Sequence, residues 1–172
     1  MLSAGDLGPN VRGNEEHADD HGSLAMMLAY CNQSPPSWQN RVYSMGFRQR
    51  WLNVDDDQYA VQELSRQPRA VAEGLVGDLA TAFRGPCATV PVGGSPDFAS
   101  RFAILDSDWG DQSLLMRETR AGAGTPVAWR IVIRQGDLFT EIRTNIDGLT
   151  EQQARELGRR AAHRLCSATP TC

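Results

Sequence analysis

Apolar residues recur along the chain with two different periods, and each period predicts one kind of element. Over residues 41–51 they alternate with polar residues, which is typical of a half-buried strand. Residues 58–64 alternate more weakly and would form the hairpin partner of that strand. Over residues 71–83 and 154–165 the apolar positions recur at helical spacing. The pattern therefore predicts a hairpin and two amphipathic helices.

Local signals indicate where these helices begin and end. Pro68 fits the first turn of the first helix, and a Gly-Pro pair at residues 85–86 ends it. The second helix opens at Thr150, and Gln153 follows at the spacing of a capping box. An unbranched apolar run over residues 23–31 favours a further short helix.

The second half of the chain contains short apolar segments that are separated by short turns. Connections such as Gln135-Gly136-Asp137 are typical of antiparallel strands. Residues 88–97, which include prolines and glycines, are predicted to form a loop. Together the elements predict an α+β fold, a largely antiparallel twisted sheet with two main amphipathic helices packed on one face. The predicted strands of this half are residues 98–105, 114–119, 127–134 and 138–144.

Composition supports one domain and excludes some classes of function. We expect a single domain over residues 1–172, in which the polar residues 1–23 form a flexible N-terminal arm. No run of about 18 apolar residues occurs, so the sequence predicts no membrane span. The net charge of −4 argues against a broad contact with nucleic acid.

All 17 strongly basic residues are arginines, and the chain contains no lysine. Mechanisms that require lysine, such as Schiff-base chemistry or phosphate binding by a P-loop lysine, are therefore excluded. The codon usage of a GC-rich genome explains this composition. Selection of arginine for bidentate contacts with anions is the functional alternative.

The four cysteines are Cys31, Cys87, Cys166 and Cys172, and none of them has the spacing of a zinc site. An even number favours two disulfides and an exported protein over buried thiols in a cytosolic one. Three connectivities are possible, and the spacing favours Cys31 with Cys87 and Cys166 with Cys172. Since the first residues lack the features of a signal peptide, an exported protein would have had its signal removed.

Few side chains have a spacing that suits catalysis or metal binding. His17 and His21 are four residues apart in an acidic segment and could bind a divalent metal from one helix face, but a solvated arm is the simpler interpretation. His163 would need Ser113 or Ser107 and a carboxylate such as Asp111 for a hydrolase triad, and no nucleophile-elbow motif is present. We therefore expect no catalytic residues, no metal and no cofactor.

The side chains best suited to a ligand are tryptophans and arginines next to turns. Tryptophan offers a large apolar surface with one donor, and arginine offers a fork for a carboxylate or phosphate. Packing of each tryptophan between sheet and helix is the structural alternative. The predicted ligand-binding residues are Trp109, Asp111, Trp129, Arg130 and Arg134.

Several short motifs resemble those of one known family. Residues 110–117 read GDQSLLMR, residues 129–138 read WRIVIRQGDL, and the last helix ends with a Leu-Cys pair at 165–166. With the LSAGDL opening at residues 2–7 and the helix that ends next to Cys87, they resemble the actinobacterial secreted sensor domains. That group includes the extracellular domain of the mycobacterial receptor kinase PknH and related lipoproteins.

The resemblance implies an exported domain, secreted or anchored to the cell envelope, with disulfides and a cleft that receives a ligand. It brings no catalytic residues. The expected function is non-enzymatic binding of a small molecule or a cell-envelope component. Two alternatives stay open: a small hydrolase or metal-dependent enzyme that uses the histidines, and a partner-binding module that presents Arg48 and Arg50.

Overall fold

An eight-stranded antiparallel sheet is the centre of the part of the chain that the structure describes. That part, in this computed structural model, comprises residues 1–8, 11–19, 31, 36, 47–54, 57–92, 95–120 and 128–169. The strands are β1 (Arg12–Asp19), β2 (Phe47–Asn53), β3 (Tyr59–Arg66), β4 (Thr89–Val92), β5 (Ser95–Leu105), β6 (Gln112–Arg120), β7 (Ala128–Gln135) and β8 (Leu138–Asn145). The helices are α1 (Ala4–Leu7), α2 (Arg69–Arg84) and α3 (Glu151–Ser167).

The strands lie in the order β1-β2-β3-β8-β7-β6-β5-β4, and every neighbouring pair is antiparallel. A tight turn at Gly136 joins β7 to β8, and its φ of 62° lies in the region that favours glycine. The predicted α+β class, the β2–β3 hairpin and the four later strands are confirmed. Residues 41–46 of the first predicted strand and residues 23–30 of the predicted short helix lie outside the described residues.

Strand β7 is the place where two separate hydrophobic cores meet. All eight of its residues are buried, and successive side chains of a strand alternate between the two faces of a sheet. Trp129, Ile131 and Ile133 belong to the core beneath α3, whereas Val132 belongs to the core beneath α2. The two large helices therefore pack on opposite faces, and the prediction that both pack on one face was wrong. Helical periodicity shows that a helix buries one side, but it contains no information about which sheet face it covers.

The two large helices have the ends that the sequence predicts. Pro68 precedes α2 and Gly85 follows it. Thr150 and Gln153 form the capping box of α3, with a Gln153 N–H to Thr150 Oγ1 distance of 3.3 Å. No helix among the described residues is long and apolar enough to span a membrane.

The predicted loop over residues 88–97 is wrong, because part of it forms an edge strand. Residues 89–92 form the edge strand β4, and residue 95 begins β5. Pro91 is compatible with a strand here because β4 is outermost, where a missing N–H does not interrupt the sheet.

The expected flexible arm over residues 1–23 is also wrong for the residues of this segment that the structure describes. Leu2 is fully buried in the α3 core, and β1 pairs with β2. Asp6 accepts a hydrogen bond of 2.9 Å from Arg164 of α3. Burial alone would raise the pKa of Asp6, but hydrogen bonds from Arg164 and Ser3 outweigh it and lower the pKa to about 2. This polar segment is held by backbone pairing and by the buried side chain of Leu2, so its apolar residues are too few to predict an ordered structure.

The predicted disulfide between Cys31 and Cys87 is confirmed, and it joins residues 56 apart in sequence. In the chain-entropy model a loop of this length contributes about 4 kcal/mol of stability. Cys166, near the end of α3, is also disulfide-bonded. Its predicted partner, Cys172, lies outside the described residues.

A methyl group at Gly158 should test the packing of α3 on the sheet. A Cβ atom at this position would lie 2.3 Å from the Trp109 ring, so we expect Gly158→Ala to lower the free energy of unfolding. The expected loss is about 1–3 kcal/mol, despite the better helix propensity of alanine. Urea unfolding followed by circular dichroism measures the effect.

The matched control is Gly77→Ala in α2, where nothing lies within 4 Å of the added Cβ. We expect this variant to gain about 0.5–1 kcal/mol. A similar gain in both variants would contradict the described contact between Trp109 and α3.

Candidate functional site

The structure separates the five predicted ligand-binding residues instead of gathering them. Trp109 and Trp129 lie in the core beneath α3. Arg130 and Arg134 alternate with Trp129 along β7, so their side chains lie on the α2 side of the sheet. Asp111 lies just before β6 and forms an ion pair with Arg134.

Both tryptophans pack between the sheet and α3 or the segment before it, which is the alternative to a role in ligand binding. The ring of Trp109 contacts Gly158 of α3, and its backbone N–H donates to Ser113 Oγ at 3.0 Å. The indole N–H of Trp129 donates to the carbonyl of Leu149 at 2.7 Å, which fixes the segment before α3. Each ring therefore attaches α3, or the segment that precedes it, to the sheet.

Asp111 and Arg134 stabilise the β7–β8 turn. Arg134 Nη1 lies 3.1 Å from Asp111 Oδ2, and Arg134 Nε donates to Gln112 Oε1 at 2.8 Å. The carboxylate of Asp111 also accepts from the Gly136 N–H at 2.9 Å and from the Gln135 amide at 3.2 Å. The turn is thereby attached to the start of β6.

Arg130 forms a buried ion pair with Glu118 of β6. Arg130 Nε donates to Glu118 Oε2 at 2.9 Å, and the Nη2 group donates to the same oxygen. The two side chains are 6% and 1% exposed. Burial alone would raise the pKa of Glu118, but the charge of Arg130 and a hydrogen bond of 2.6 Å from Ser100 outweigh it and lower the pKa. Glu118 is therefore held in its ionised form.

This ion pair is part of a row of charged side chains across four strands on the α2 side of the sheet. The register places Arg130 opposite Arg143 and Glu63 opposite Glu141. Helix α2 packs mainly on β5, β6 and β7, whereas the row continues through β8 to Glu63 on β3. We call this row the charged strip; its members are Glu63, Glu141, Arg143, Arg130 and Glu118.

Two aromatic rings lie at the β3 end of the charged strip. The ring centroids of Trp51 and Tyr59 are 5.3 Å apart, with an angle of 44° between the planes. The guanidinium of Arg143 lies 5.3 Å from the Tyr59 centroid and donates a hydrogen bond to the Tyr59 hydroxyl. We name this group the Trp51–Arg143 cluster; its members are Gln49, Trp51, Tyr59, Glu63 and Arg143.

Gln49 connects the aromatic part of the cluster to its carboxyl group. Gln49 Oε1 accepts from the Trp51 indole N–H at 2.9 Å, and Gln49 Nε2 donates to Glu63 Oε1 at 2.8 Å. Burial raises the pKa of Glu63, and the hydrogen bond from Gln49 and the charge of Arg143 offset only part of that effect. Except for buried Glu63, the cluster members are half-buried, so part of each is accessible to a ligand.

No local pattern in the sequence singles out this cluster. The period-two pattern of β2 predicts that Trp51 lies on the buried face of a strand, and the same alternation puts Gln49 beside it. Glu63 and Arg143 join them only because β3 pairs with both β2 and β8. The weak alternation of residues 58–64 contained the signal, since it places the buried Glu63 on the same face as Val61.

The histidine-based candidates are not assembled in the described residues. His17 lies in β1, so the helix face that the metal-binding alternative requires is absent at that residue; His21 lies outside the described residues. No group of three or more metal-ligating side chains is found among the residues described. His163 is exposed on α3, and within the described contacts no hydrogen bond joins it to Ser113 or Asp111.

The arginines proposed for a partner-binding face lie in β2. Arg48 is exposed, whereas Arg50 donates to the backbone carbonyl of Leu2 at 2.7 Å. Arg50 therefore helps to hold the N-terminal residues against the sheet.

Comparison with known proteins gives matches among solved structures. No family model and no curated protein matches this chain. An uncharacterized protein from Mycobacterium smegmatis, an Rv0999 ortholog, has 11% identity and a TM-score of 0.48, with 91% of this chain and 89% of that chain covered. The extracellular domain of PknH from Mycobacterium tuberculosis has 11% identity and a TM-score of 0.45, with coverages of 87% and 82%.

Removal of Arg130 should reveal how much the fold depends on the buried ion pair. We expect Arg130→Met to lower the free energy of unfolding by about 3–5 kcal/mol, because Glu118 would stay buried without its counter-charge. Adding Glu118→Gln should recover part of this loss, since an amide oxygen can still accept the Ser100 hydrogen bond and needs no counter-charge. Urea unfolding of the single and double variants measures both effects. Simple additivity of the two substitutions would contradict a direct interaction.

Proposed function

We propose that this chain is an exported, sensor-like domain that binds a small molecule or a cell-envelope component and catalyses no reaction. The observation that carries the proposal is the Trp51–Arg143 cluster at the end of the charged strip. Aromatic rings beside a few converging polar groups, one of them a carboxyl with a shifted pKa, are typical of ligand sites.

The state of the cysteines supports export. Cys31 and Cys87 are joined, and Cys166 is disulfide-bonded as well. Disulfides persist in oxidising compartments such as the cell exterior and are rare in the cytosol. The motif resemblance to secreted sensor domains agrees with this compartment and with a role that needs no catalytic residue.

The ligand is proposed to lie over the Trp51–Arg143 cluster and not at the predicted tryptophans. Of the predicted residues, Arg130 belongs to the charged strip, where it lies opposite Arg143. Arg134 and Asp111 hold the turn beyond β7, and the two tryptophans hold α3 and the segment before it. We therefore assign Arg130 a positioning role behind the site.

A search for bound components tests the proposal. The oxidised protein is incubated with an organic extract of actinobacterial cell envelope and examined by native mass spectrometry and thermal unfolding. We expect a retained small molecule and a rise in Tm that grows with its concentration. Trp51→Ala should reduce the rise, because the stacking surface is lost.

Arg159→Gln is the matched control for the same assay. Arg159 lies on α3, on the opposite face of the sheet, and its side chain is 60% exposed. We expect the rise in Tm to be unchanged in this variant. If no envelope component is retained and none raises the Tm of the wild-type chain, the proposed binding function is wrong.

A further inference from the structure

The guanidinium of Arg143 is used differently from those of the neighbouring arginines on the same sheet face. Arg130 and Arg134 each form an ion pair with a carboxylate. Among the described residues, the one hydrogen bond of the Arg143 side chain is to the Tyr59 hydroxyl, and its guanidinium also stacks on that ring. A guanidinium has five N–H donors, so most donors of Arg143 meet no protein acceptor in the described part of the chain.

The nearby carboxyl group of Glu63 does not neutralise Arg143 through a direct contact. Glu63 Oε1 accepts from Gln49, and no described ion pair joins Glu63 to Arg143. Burial raises the pKa of Glu63, so its neutral form is easier to reach than for an exposed glutamate. Arg143 therefore has no direct carboxylate partner among the described contacts, which leaves its guanidinium suited to an external anion.

Trp51 offers a flat apolar surface next to this charge. Its indole N–H is bonded to Gln49, and Gln49 is bonded to Glu63, so the orientation of the ring is set before any ligand arrives. Trp51 and Arg143 lie on β2 and β8, with β3 between them. Two strand spacings separate them by about 10 Å. A molecule that contacts both groups therefore needs a ring that stacks on Trp51 and an anionic group on a short arm that reaches across β3 to Arg143.

The charge of the surrounding strip limits the charge of the ligand. Two carboxyl groups lie near Arg143 on the same face of the sheet: Glu141 is two residues before it on β8, and Glu63 lies opposite Glu141 on β3. A second negative charge on the ligand would be repelled by these carboxyl groups in their ionised form. The arrangement favours a monoanionic carboxylate over a dianionic phosphate.

We propose that Arg143 is the anion-binding residue of this domain, and that the ligand is a small monoanionic carboxylate whose flat ring stacks on Trp51. The inference rests on the proposed function, because it names the chemical class of the ligand for the same site. Tyr59 positions the guanidinium through its ring and its hydroxyl, and the remaining N–H donors of Arg143 receive the carboxylate oxygens.

Nuclear magnetic resonance with a simple probe tests the proposal directly. Phenylacetate is titrated into the ¹⁵N-labelled full chain, while the Trp51 indole N–H and the Arg143 Nε–H resonances are followed. We expect saturable shifts of both resonances. Phenylacetamide, which lacks the charge, and acetate, which lacks the ring, should each bind about tenfold or more weaker, because each loses one of the two contacts. Phenyl phosphate carries a ring and two negative charges, and it should bind more weakly than phenylacetate if the site prefers a single charge.

Variants of Arg143 and Arg159 distinguish binding at a specific site from a general effect of positive charge. Arg143→Gln should weaken phenylacetate binding about tenfold or more, since the charge-assisted hydrogen bonds are lost. Arg159→Gln removes the same charge from the opposite face and should leave binding unchanged. Should Arg143→Gln fail to fold, the Arg143 Nε–H shift in the wild-type chain still decides the question.

The results distinguish this proposal from the broader one. Equal binding of phenylacetate and phenylacetamide, or unchanged binding in folded Arg143→Gln, overturns the assignment of Arg143. If an envelope component raises the Tm of wild type and Arg143→Gln equally, the binding function stands and the anion site is wrong. If no envelope component binds while phenylacetate shifts the Arg143 resonance, the anion site stands and the broader function is wrong.

Discussion

Burial of β7 on both faces is the constraint on which the rest of the structure depends. All eight of its residues are buried, and their side chains alternate between the two faces. The apolar side chains on one face of β7 pack beneath α3. The opposite face of β7 includes Arg130 and Arg134, and a buried arginine is tolerated only when a carboxylate neutralises its charge. Glu118 and Asp111 supply those carboxylates, which ties β6 and the β7–β8 turn to the central strand.

The same constraint separates stability from recognition along the charged strip. Near its centre, Arg130 is paired with Glu118 and both are buried, so this part stabilises the fold. One strand further, Arg143 stacks on Tyr59 and is half-buried. Its proposed role in binding follows from that difference in environment, because a guanidinium with open donors beside an aromatic surface is suited to an anion. A rigid paired centre would hold the neighbouring site in a fixed geometry.

Local signals in the sequence predict the elements well. The hairpin of β2 and β3, the four later strands and both large helices follow from periodicity and from breakers such as Gly85. The faces on which α2 and α3 pack depend on contacts between distant segments, and no period in the chain contains that information. The edge strand β1 contains few apolar residues, and β4 is only four residues long and includes a proline, so neither has a pattern that predicts a strand. The candidate site was missed for the same reason, since Trp51 and Arg143 become neighbours only through the strand order.

The central claim is that the charged strip contains two different environments: Arg130 and Glu118 form a buried ion pair, whereas Arg143 has no direct carboxylate partner among the described contacts. Site-resolved ¹³C NMR titration of the glutamate carboxyl groups in the intact oxidised chain tests it most directly. The account predicts that Glu63 titrates above the ordinary range of a glutamate and Glu118 below it. As the pH falls, protonation of Glu63 therefore relieves a cost to the fold, whereas the stability contributed by Glu118 is lost as the pH falls through its lowered pKa. Titration of both groups at the ordinary value would contradict the account.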